Sequence, residues 1–301
     1  MEVARAILAD PLRSYTAAAL VVMVVLAGVV SAARIGAAWT PMRTWLLILP
    51  ALLVPIWLGA GAWTLFVTAI SIFGFKEFGR VSGLYAERPF VLVVYAGIVA
   101  INLAAYLRLD GEFLVAPFWT ILVLTLVPIA LNRTADTLQW FALSVVGLTF
   151  YGFFLGHLSW LAQTPFGIGP LLYVVFATQL NDVLAFLFGK RFGRRRWTTL
   201  SPNKTLEGSL LAAATTVALT FVQAPVAFPH VPPWGVLLAG LIVGIGGQVG
   251  DLTMALVKRS AGVKDFGRLL PGHGGITDRV NSLMITAPVF VHGMGFLFGR
   301  F

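Results

Sequence analysis

Long apolar stretches recur along nearly the whole chain, and they restrict its fold more than any other feature. Hydrophobic residues make up 58% of the 301 residues and charged residues only 11%, and the mean hydropathy is +0.90. Soluble domains carry about a quarter charged residues. Most of these side chains must therefore face lipid or other apolar helices, and the sequence predicts an all-α, polytopic integral membrane protein.

The apolar runs divide into ten predicted spans, since one crossing takes about 20 residues. They lie near 16–33, 45–58, 61–75, 91–108, 113–132, 137–158, 168–188, 207–224, 234–257 and 281–299. Nine is the alternative if the first segment is a cleaved secretory signal or is peripheral. We expect one membrane domain over residues 1–301. Residues 1–170 supply N-terminal spans, with 16–33 as an extra leading span, and 171–301 supply the catalytic spans and cytoplasmic loops.

Lys and Arg are concentrated in loops that fall on one side of this topology. Two spans separate the basic loop 189–208 from the one that begins at Lys258, so both lie on the same side, and the positive-inside rule makes it cytoplasmic. The loops 159–167 and 225–233 contain no Lys or Arg. The net charge of +9 suits a polyanionic substrate or an anionic leaflet, although positive-inside bias alone accounts for it equally well.

The chain has no cysteine, which excludes disulfides, thiolate catalysis and Cys-ligated metals. Its four histidines are scattered without paired metal-ligand spacing. A hard cation held by oxygen ligands is therefore the better expectation.

Three polar groups stand out in the last third of the chain. The first is Asn181-Asp182, because a carboxylate within a span is a functional-site hypothesis by default. The alternative is a helix-packing hydrogen bond from Asn181. The second is Lys204, Thr205 and Glu207 ahead of Gly208, where a helix N-terminus beside a lysine suits a phosphate. The alternative is a basic membrane anchor with helix caps at Ser201 or Thr205.

The third group lies in residues 247–282. Asp251 and Lys258 are seven residues apart and share a helix face, as do Asp278 and Asn281, three apart. The glycine turn at 271–275 lets backbone approach a ligand closely. Two aspartates on different helices would hold Mg²⁺ by one carboxylate each and leave its other positions to water and phosphates. The alternative is a solvated basic loop with salt-bridged aspartates.

The motifs in these groups resemble the signature of the CDP-diacylglycerol synthases (phosphatidate cytidylyltransferases), over roughly residues 181–282. The matching segments are Asn181-Asp182, Ser201-Pro-Asn-Lys-Thr-Leu-Glu-Gly208, Gly250-Asp251-Leu252, Lys258-Arg259, Lys264-Asp265, Pro271-Gly-His-Gly-Gly275 and Asp278-Arg279. The resemblance implies Mg²⁺-dependent transfer of a cytidylyl group from CTP to phosphatidic acid, with a second cation left open. It also implies a homodimer in the bacterial inner membrane, with an active site that faces the cytoplasm and no nucleic-acid partner.

Residue roles follow from the same resemblance. Asp251 and Asp278 are expected to hold the metal. A catalytic role is expected for Asp182, Lys204, Glu207, Lys258, Arg259, Lys264, Asp265, His273 and Arg279. Substrate binding is expected of Asn181, Ser201, Thr205, Gly272, Gly274, Gly275 and Asn281.

Two positions depart from the family pattern. Ala255 replaces a serine three residues before Lys258, and Asn281 replaces an aspartate that closes the signature. Because Asn281 is uncharged, we expect a lower metal affinity or a lower catalytic rate than an aspartate would give. Four alternatives stay open: a transferase for another lipid phosphate, a CTP-dependent lipid kinase, a transporter or scaffold, and an inactive paralogue that binds only nucleotide or lipid.

Overall fold

A computed structural model describes residues 10–32, 39–164, 168–267 and 274–298. Its helices are α1 (Pro11–Ala32), α2 (Trp39–Trp57), α3 (Ala60–Ser82), α4 (Arg88–Tyr106), α5 (Asp110–Ala130), α6 (Thr137–Gly147), α7 (Leu155–Leu161), α8 (Gly169–Phe192), α9 (Leu206–Ala227), α10 (Pro233–Ser260) and α11 (Thr277–Phe298). A 3₁₀ turn, Leu84–Ala86, follows α3, and a π-helical turn, Leu148–Phe154, joins α6 to α7. The predicted all-α class is confirmed.

Seven helices in the described ranges are long and apolar enough to cross a membrane. They are α4, α5, the continuous helix through α6 and α7, α8, α9, α10 and α11. The predicted count of nine to ten is wrong by this measure. The apolar segment found in α2 is only Ile48–Trp57, and the apolar part of α3 ends before Lys76, short of the roughly 20 residues that a span requires.

Consecutive spans run in opposite directions, so the polar ends of several helices meet at one end of the bundle. This end contains the first residues of α4, α6, α9 and α11 and the last residues of α5, α8 and α10. We call it the basic face, because the connections after α8 and α10, residues 193–205 and 261–267, lie there with their Lys and Arg side chains. The three polar groups of the sequence all map to it.

Helices α8 to α11 pack against one another in chain order, and α11 also contacts α8, α7 and α3. Two glycines permit close crossings near the polar groups. A Cβ at Gly208 would lie 2.6 Å from the Cα of Gly189, and one at Gly250 would lie 2.7 Å from the carbonyl oxygen of Asn281. A side chain at either position would force these helices apart. The crossing at Gly250 brings Asp251 beside the first turns of α11.

The π-helical turn connects the N-terminal helices to the start of α11. Its Tyr151 is buried, and the phenol hydroxyl donates to Thr277 Oγ1 at 3.2 Å. Thr277 Oγ1 in turn donates to the carbonyl of Gly74 in α3 at 3.3 Å. Phe75 and Phe78 pack around the Tyr151 ring. The first turn of α11 is therefore held from both halves of the chain.

Candidate active site

A continuous polar network crosses the basic face between α8, α10 and α11. Lys204 Nζ lies 2.7 Å from Asp251 Oδ2. Asn281 Nδ2 donates to Asp251 Oδ1 at 2.7 Å, and Asn281 Oδ1 accepts the Ser282 backbone N–H at 2.8 Å. Ser282 Oγ donates to Asp182 Oδ2 at 2.6 Å. The structure thus brings four predicted site residues together: Asp182, Lys204, Asp251 and Asn281.

Asp278 forms a second, adjacent cluster and uses both of its carboxylate oxygens. Oδ1 accepts from Lys258 Nζ at 2.8 Å, and Oδ2 accepts the backbone N–H groups of Phe266 at 3.1 Å and Gly275 at 3.0 Å. Gly274 has φ +79°, and a Cβ there would meet Asp278 Oδ2 at 2.8 Å. This glycine is therefore needed for the turn that delivers the Gly275 N–H to the carboxylate.

The two metal candidates differ in exposure. The Asp251 side chain is 32% exposed, whereas that of Asp278 is 6% exposed. Lys204 and Lys258, their partners, are 12% and 16% exposed. Asp251 is thus open to a ligand from the basic face, while Asp278 would accept one at Oδ1 only if Lys258 moved.

Arg279 lies among the carboxylates of both clusters. It is close enough to Asp278, Asp182, Asp251 and Asp265 to interact with them electrostatically. Four carboxylates and three cations, with Lys204 and Lys258 included, therefore occupy one end of the bundle. The charges of such a mixed group largely offset one another, and its internal partners can be exchanged for a metal and anionic substrates.

Glu77, which no sequence motif indicated, holds the start of α11 in place. Its carboxylate accepts the N–H groups of Ile276 at 3.0 Å and Thr277 at 2.9 Å. These donors have no partner within the helix at its first turn, and a negative charge there is favourable. A charged residue directly after a largely apolar stretch is a visible signal in the sequence. The partner of Glu77, however, lies 200 residues away in the chain.

Glu77→Gln is expected to loosen α11 and lower turnover, because one carboxylate oxygen becomes an NH₂ group that cannot accept an N–H. The expected loss of unfolding free energy is about 1 kcal/mol, as for other helix caps. Thermal unfolding in detergent measures it. Glu87→Gln is the matched control, because Glu87 also lies at the basic face but pairs with Arg133. Equal melting temperatures for Glu77→Gln and wild type would contradict the assignment.

Three predicted residues have structural partners. Asn181 is buried in α8, where Nδ2 donates to the Gly244 carbonyl and Oδ1 accepts from Thr216 Oγ1. Thr205 caps α9 by accepting the Gly208 N–H at 3.2 Å. Glu207 accepts the N–H groups of residues 194 and 195 at 3.0 and 3.1 Å, which folds the basic loop back onto α9. For Asn181 and Thr205, the helix-packing and capping alternatives describe the observed contacts.

The other predicted residues lie around the two clusters. The backbone carbonyl of Ser201 accepts the Lys204 backbone N–H in the turn before α9. Arg259 is exposed and donates to the carbonyls of residues 200 and 263 at 3.4 Å. Lys264 and Asp265 are exposed at the surface. Gly272 and His273 lie outside the described residues.

The oxygen donors at this site suit a divalent cation that is held by few protein ligands. The described residues contain no group of three or more His, Cys, Asp or Glu side chains that could hold a metal. They do offer carboxylate and amide oxygens from Asp251, Asp182 and Asn281 within one network. Mg²⁺ commonly takes one or two carboxylates and completes its shell with water and substrate phosphates. The site fits a cation of that kind better than a fully protein-ligated metal.

The chain matches a known protein family along most of its length. The profile of the cytidylyltransferase family matches residues 39–297. An uncharacterized protein of Escherichia coli, YnbB, is 40% identical over 50% of this chain and 54% of its own length. Phosphatidate cytidylyltransferases of Staphylococcus haemolyticus and Synechocystis are 37% and 40% identical, over 45% and 44% of this chain and 52% and 45% of their own lengths. The chain thus spans about half the length of these relatives.

Proposed function

The chain belongs to the cytidylyltransferase family, and on this basis we propose that it transfers the cytidylyl group of CTP to phosphatidic acid. The products are CDP-diacylglycerol and pyrophosphate. The observation that carries the proposal is the network from Lys204 through Asp251 and Asn281 to Asp182. It places two carboxylates and an amide from three helices, with a lysine from the loop before α9, at the end of a membrane bundle, where a lipid phosphate and a nucleotide can meet.

The reaction needs charge neutralisation more than a strong base. An oxygen of the phosphatidate phosphate attacks the α-phosphorus of CTP, and the bond from that phosphorus to the bridging oxygen of pyrophosphate breaks. The nucleophile is already anionic, so no covalent enzyme intermediate is required. Lys204, Lys258 and Arg279 are positioned to bind the phosphates of two substrates that repel each other. Arg259 and Lys264 add positive charge at the rim.

We propose that Asp251 holds Mg²⁺ by one carboxylate, because it is the more exposed of the two metal candidates. Asp278 would contribute Oδ1 once Lys258 has a substrate phosphate to bind in its place. When bound, Mg²⁺ would neutralise the triphosphate and assist departure of pyrophosphate. A second cation is compatible with Asp182, whose Oδ1 has no hydrogen-bond partner within the described residues.

We propose that the basic face lies in the cytoplasm at the inner membrane of a bacterium. The positive-inside rule and the bacterial relatives support this orientation. CTP would then arrive from the cytoplasm, and phosphatidic acid would keep its acyl chains in the inner leaflet. A homodimer remains a prediction, which native mass spectrometry of the detergent-solubilised protein would test.

The direct test is incubation of the purified protein with Mg²⁺, phosphatidic acid and CTP that is labelled at either the α- or the γ-phosphorus. Cytidylyl transfer puts the α-label into the lipid fraction and the γ-label into pyrophosphate. A lipid kinase would instead put the γ-label into the lipid fraction and leave the α-label in CDP. Polyprenyl phosphate in place of phosphatidic acid tests another lipid substrate. No labelled lipid from α-labelled CTP, beside an active phosphatidate cytidylyltransferase, would overturn the proposal.

Asn281→Asp is expected to lower the Mg²⁺ concentration needed for half-maximal rate while preserving or raising the maximal rate. The reason is that the side chain lies 2.7 Å from Asp251 Oδ1, so a second carboxylate there repels the first unless a cation lies between them. Titration of the rate with Mg²⁺ measures the shift, and we expect it to be about tenfold. An unchanged Mg²⁺ dependence would separate Asn281 from the metal site.

A further inference from the structure

A cavity of about 380 Å³ lies beside the second cluster, between the ends of α3, α6 and α10. It is lined by Phe78, Val81, Ser82, Gln139, Ala142, Leu143, Val257, Ser260, Ala261 and Phe266. Its volume is within the range of small-molecule sites, which are mostly apolar with a few polar groups. None of the predicted site residues lines it, so the chemistry described above leaves it unassigned.

The position of the cavity limits what can occupy it. The lining residues belong to the last turns of α3, the first turns of α6 and the last turn of α10, together with Phe266 of the following loop. The cavity is therefore only about two helical turns deep, roughly 10 Å at 1.5 Å per residue. A long acyl chain would need a groove that continues along the span. A planar ring that enters from the aqueous side fits this depth.

The lining suits a nucleobase in its chemistry as well. Phe78 and Phe266 are almost fully buried, and their rings form part of an apolar wall of the kind common in ligand pockets. Gln139 is exposed, and its amide makes no hydrogen bond within the described part of the chain. That amide carries both donors and an acceptor, which is what the hydrogen-bonding edge of a pyrimidine requires. Ser82 and Ser260 also line the cavity, and their hydroxyls donate to carbonyls of their own helices.

Phe266 joins this cavity to the charged cluster. Its backbone N–H donates to Asp278 Oδ2 at 3.1 Å, and Lys258 Nζ lies 6.0 Å from the centre of its ring. Val257 and Ser260 line the cavity from positions next to Lys258 and Arg259. A ligand with its ring in the cavity would therefore direct an attached phosphate chain toward those cations.

From these contacts we propose that the cavity binds the pyrimidine ring of the nucleoside triphosphate, with Gln139 hydrogen-bonded to the ring edge. The inference rests on the proposed function, because it names where that function's nucleotide is recognised. It separates the nucleotide site into a base cavity at α6 and a phosphate site at α10 and α11. The lipid phosphate would approach from the side of Asp182 and Lys204.

The test compares two ligands of the full-length protein in detergent. CTP reports on both parts of the site, and inorganic tripolyphosphate reports on the phosphate part alone. Gln139→Leu is expected to raise the Kd of CTP about tenfold and to leave the Ki of tripolyphosphate unchanged. Ala142→Trp, which fills the exposed mouth of the cavity, is expected to do the same. Gln163→Leu, at the opposite end of the same span, is the matched control.

Each outcome has one meaning. CTP affinity equal to wild type in both Gln139→Leu and Ala142→Trp, with normal melting temperatures, would overturn the base cavity. A selective loss of activity toward long-chain over dioctanoyl phosphatidic acid, with CTP affinity unchanged, would also overturn it in favour of an acyl groove. If the wild-type protein binds CTP but forms no CDP-lipid, the proposed function fails while the base cavity can still be confirmed.

Discussion

Asp251→Asn is expected to lower kcat/KM for CTP by roughly 10³-fold, the size of effect seen when one charge-stabilising group is removed from an enzyme site. Asp251 is the most exposed carboxylate of the network, and it joins Lys204 to Asn281. Asparagine keeps the shape of the side chain but removes the charge that would hold Mg²⁺. It also leaves Lys204, which is only 12% exposed, without its anionic partner.

Initial rates over a range of CTP and Mg²⁺ concentrations measure this effect. Asp136→Asn is the control, because Asp136 lies at the basic face but adopts a left-handed conformation that asparagine also tolerates. We expect the control to stay near the wild-type rate. If Asp251→Asn kept more than a tenth of the wild-type kcat/KM and had the same Mg²⁺ dependence, Asp251 would not be a metal ligand.

The second large effect is expected for Asp278→Asn, which should reduce kcat about 10²- to 10³-fold. The carboxylate accepts three hydrogen bonds, from Lys258 and from the N–H groups of Phe266 and Gly275. An asparagine has one acceptor oxygen, so its NH₂ group must face either the ammonium or two backbone donors. The loop before α11 should then shift, and Lys258 should lose its partner.

A double-mutant cycle with Lys258→Met distinguishes this pairing from general damage to the fold. Groups in direct contact couple by about 0.5–3 kcal/mol, so the double variant should be less impaired than the sum of the two single effects predicts. Strict additivity would show that the ion pair at 2.8 Å does not act as a unit. A full rate for Asp278→Asn alone would remove Asp278 from both the metal site and the positioning of the loop.

The residue pattern was informative about the site because its motifs are local. Helical spacing predicted that Asp251 shares a face with Lys258 and that Asp278 shares a face with Asn281. In the structure, α10 and α11 bring these four side chains close together. Local spacing did not indicate which carboxylate pairs with which lysine. Asp251 pairs with Lys204 from the loop before α9, whereas Lys258, on the same helix as Asp251, pairs with Asp278. That choice depends on how the helices are rotated and how closely they cross.

The span count failed for a related reason. The predicted break between residues 58 and 61 agrees with the end of α2 at Trp57 and the start of α3 at Ala60, but α3 continues through Lys76 to Ser82, beyond its predicted end at residue 75. Tertiary contacts explain the longer α3, because Glu77 at its polar end binds the start of α11. A hydropathy pattern contains no information about such a partner.

The sequence alone determined the membrane class, the helical fold, the family and the stretch that supplies most of the polar network. Those properties follow from composition, from local apolar periodicity and from motifs a few residues long. Only the tertiary structure decided that Asn181 hydrogen-bonds to Gly244 and Thr216, that Glu77 holds α11 and that Phe266 connects the cavity to the charged cluster. Each of these depends on contacts between segments far apart in the chain, and helix crossing geometry selects those contacts.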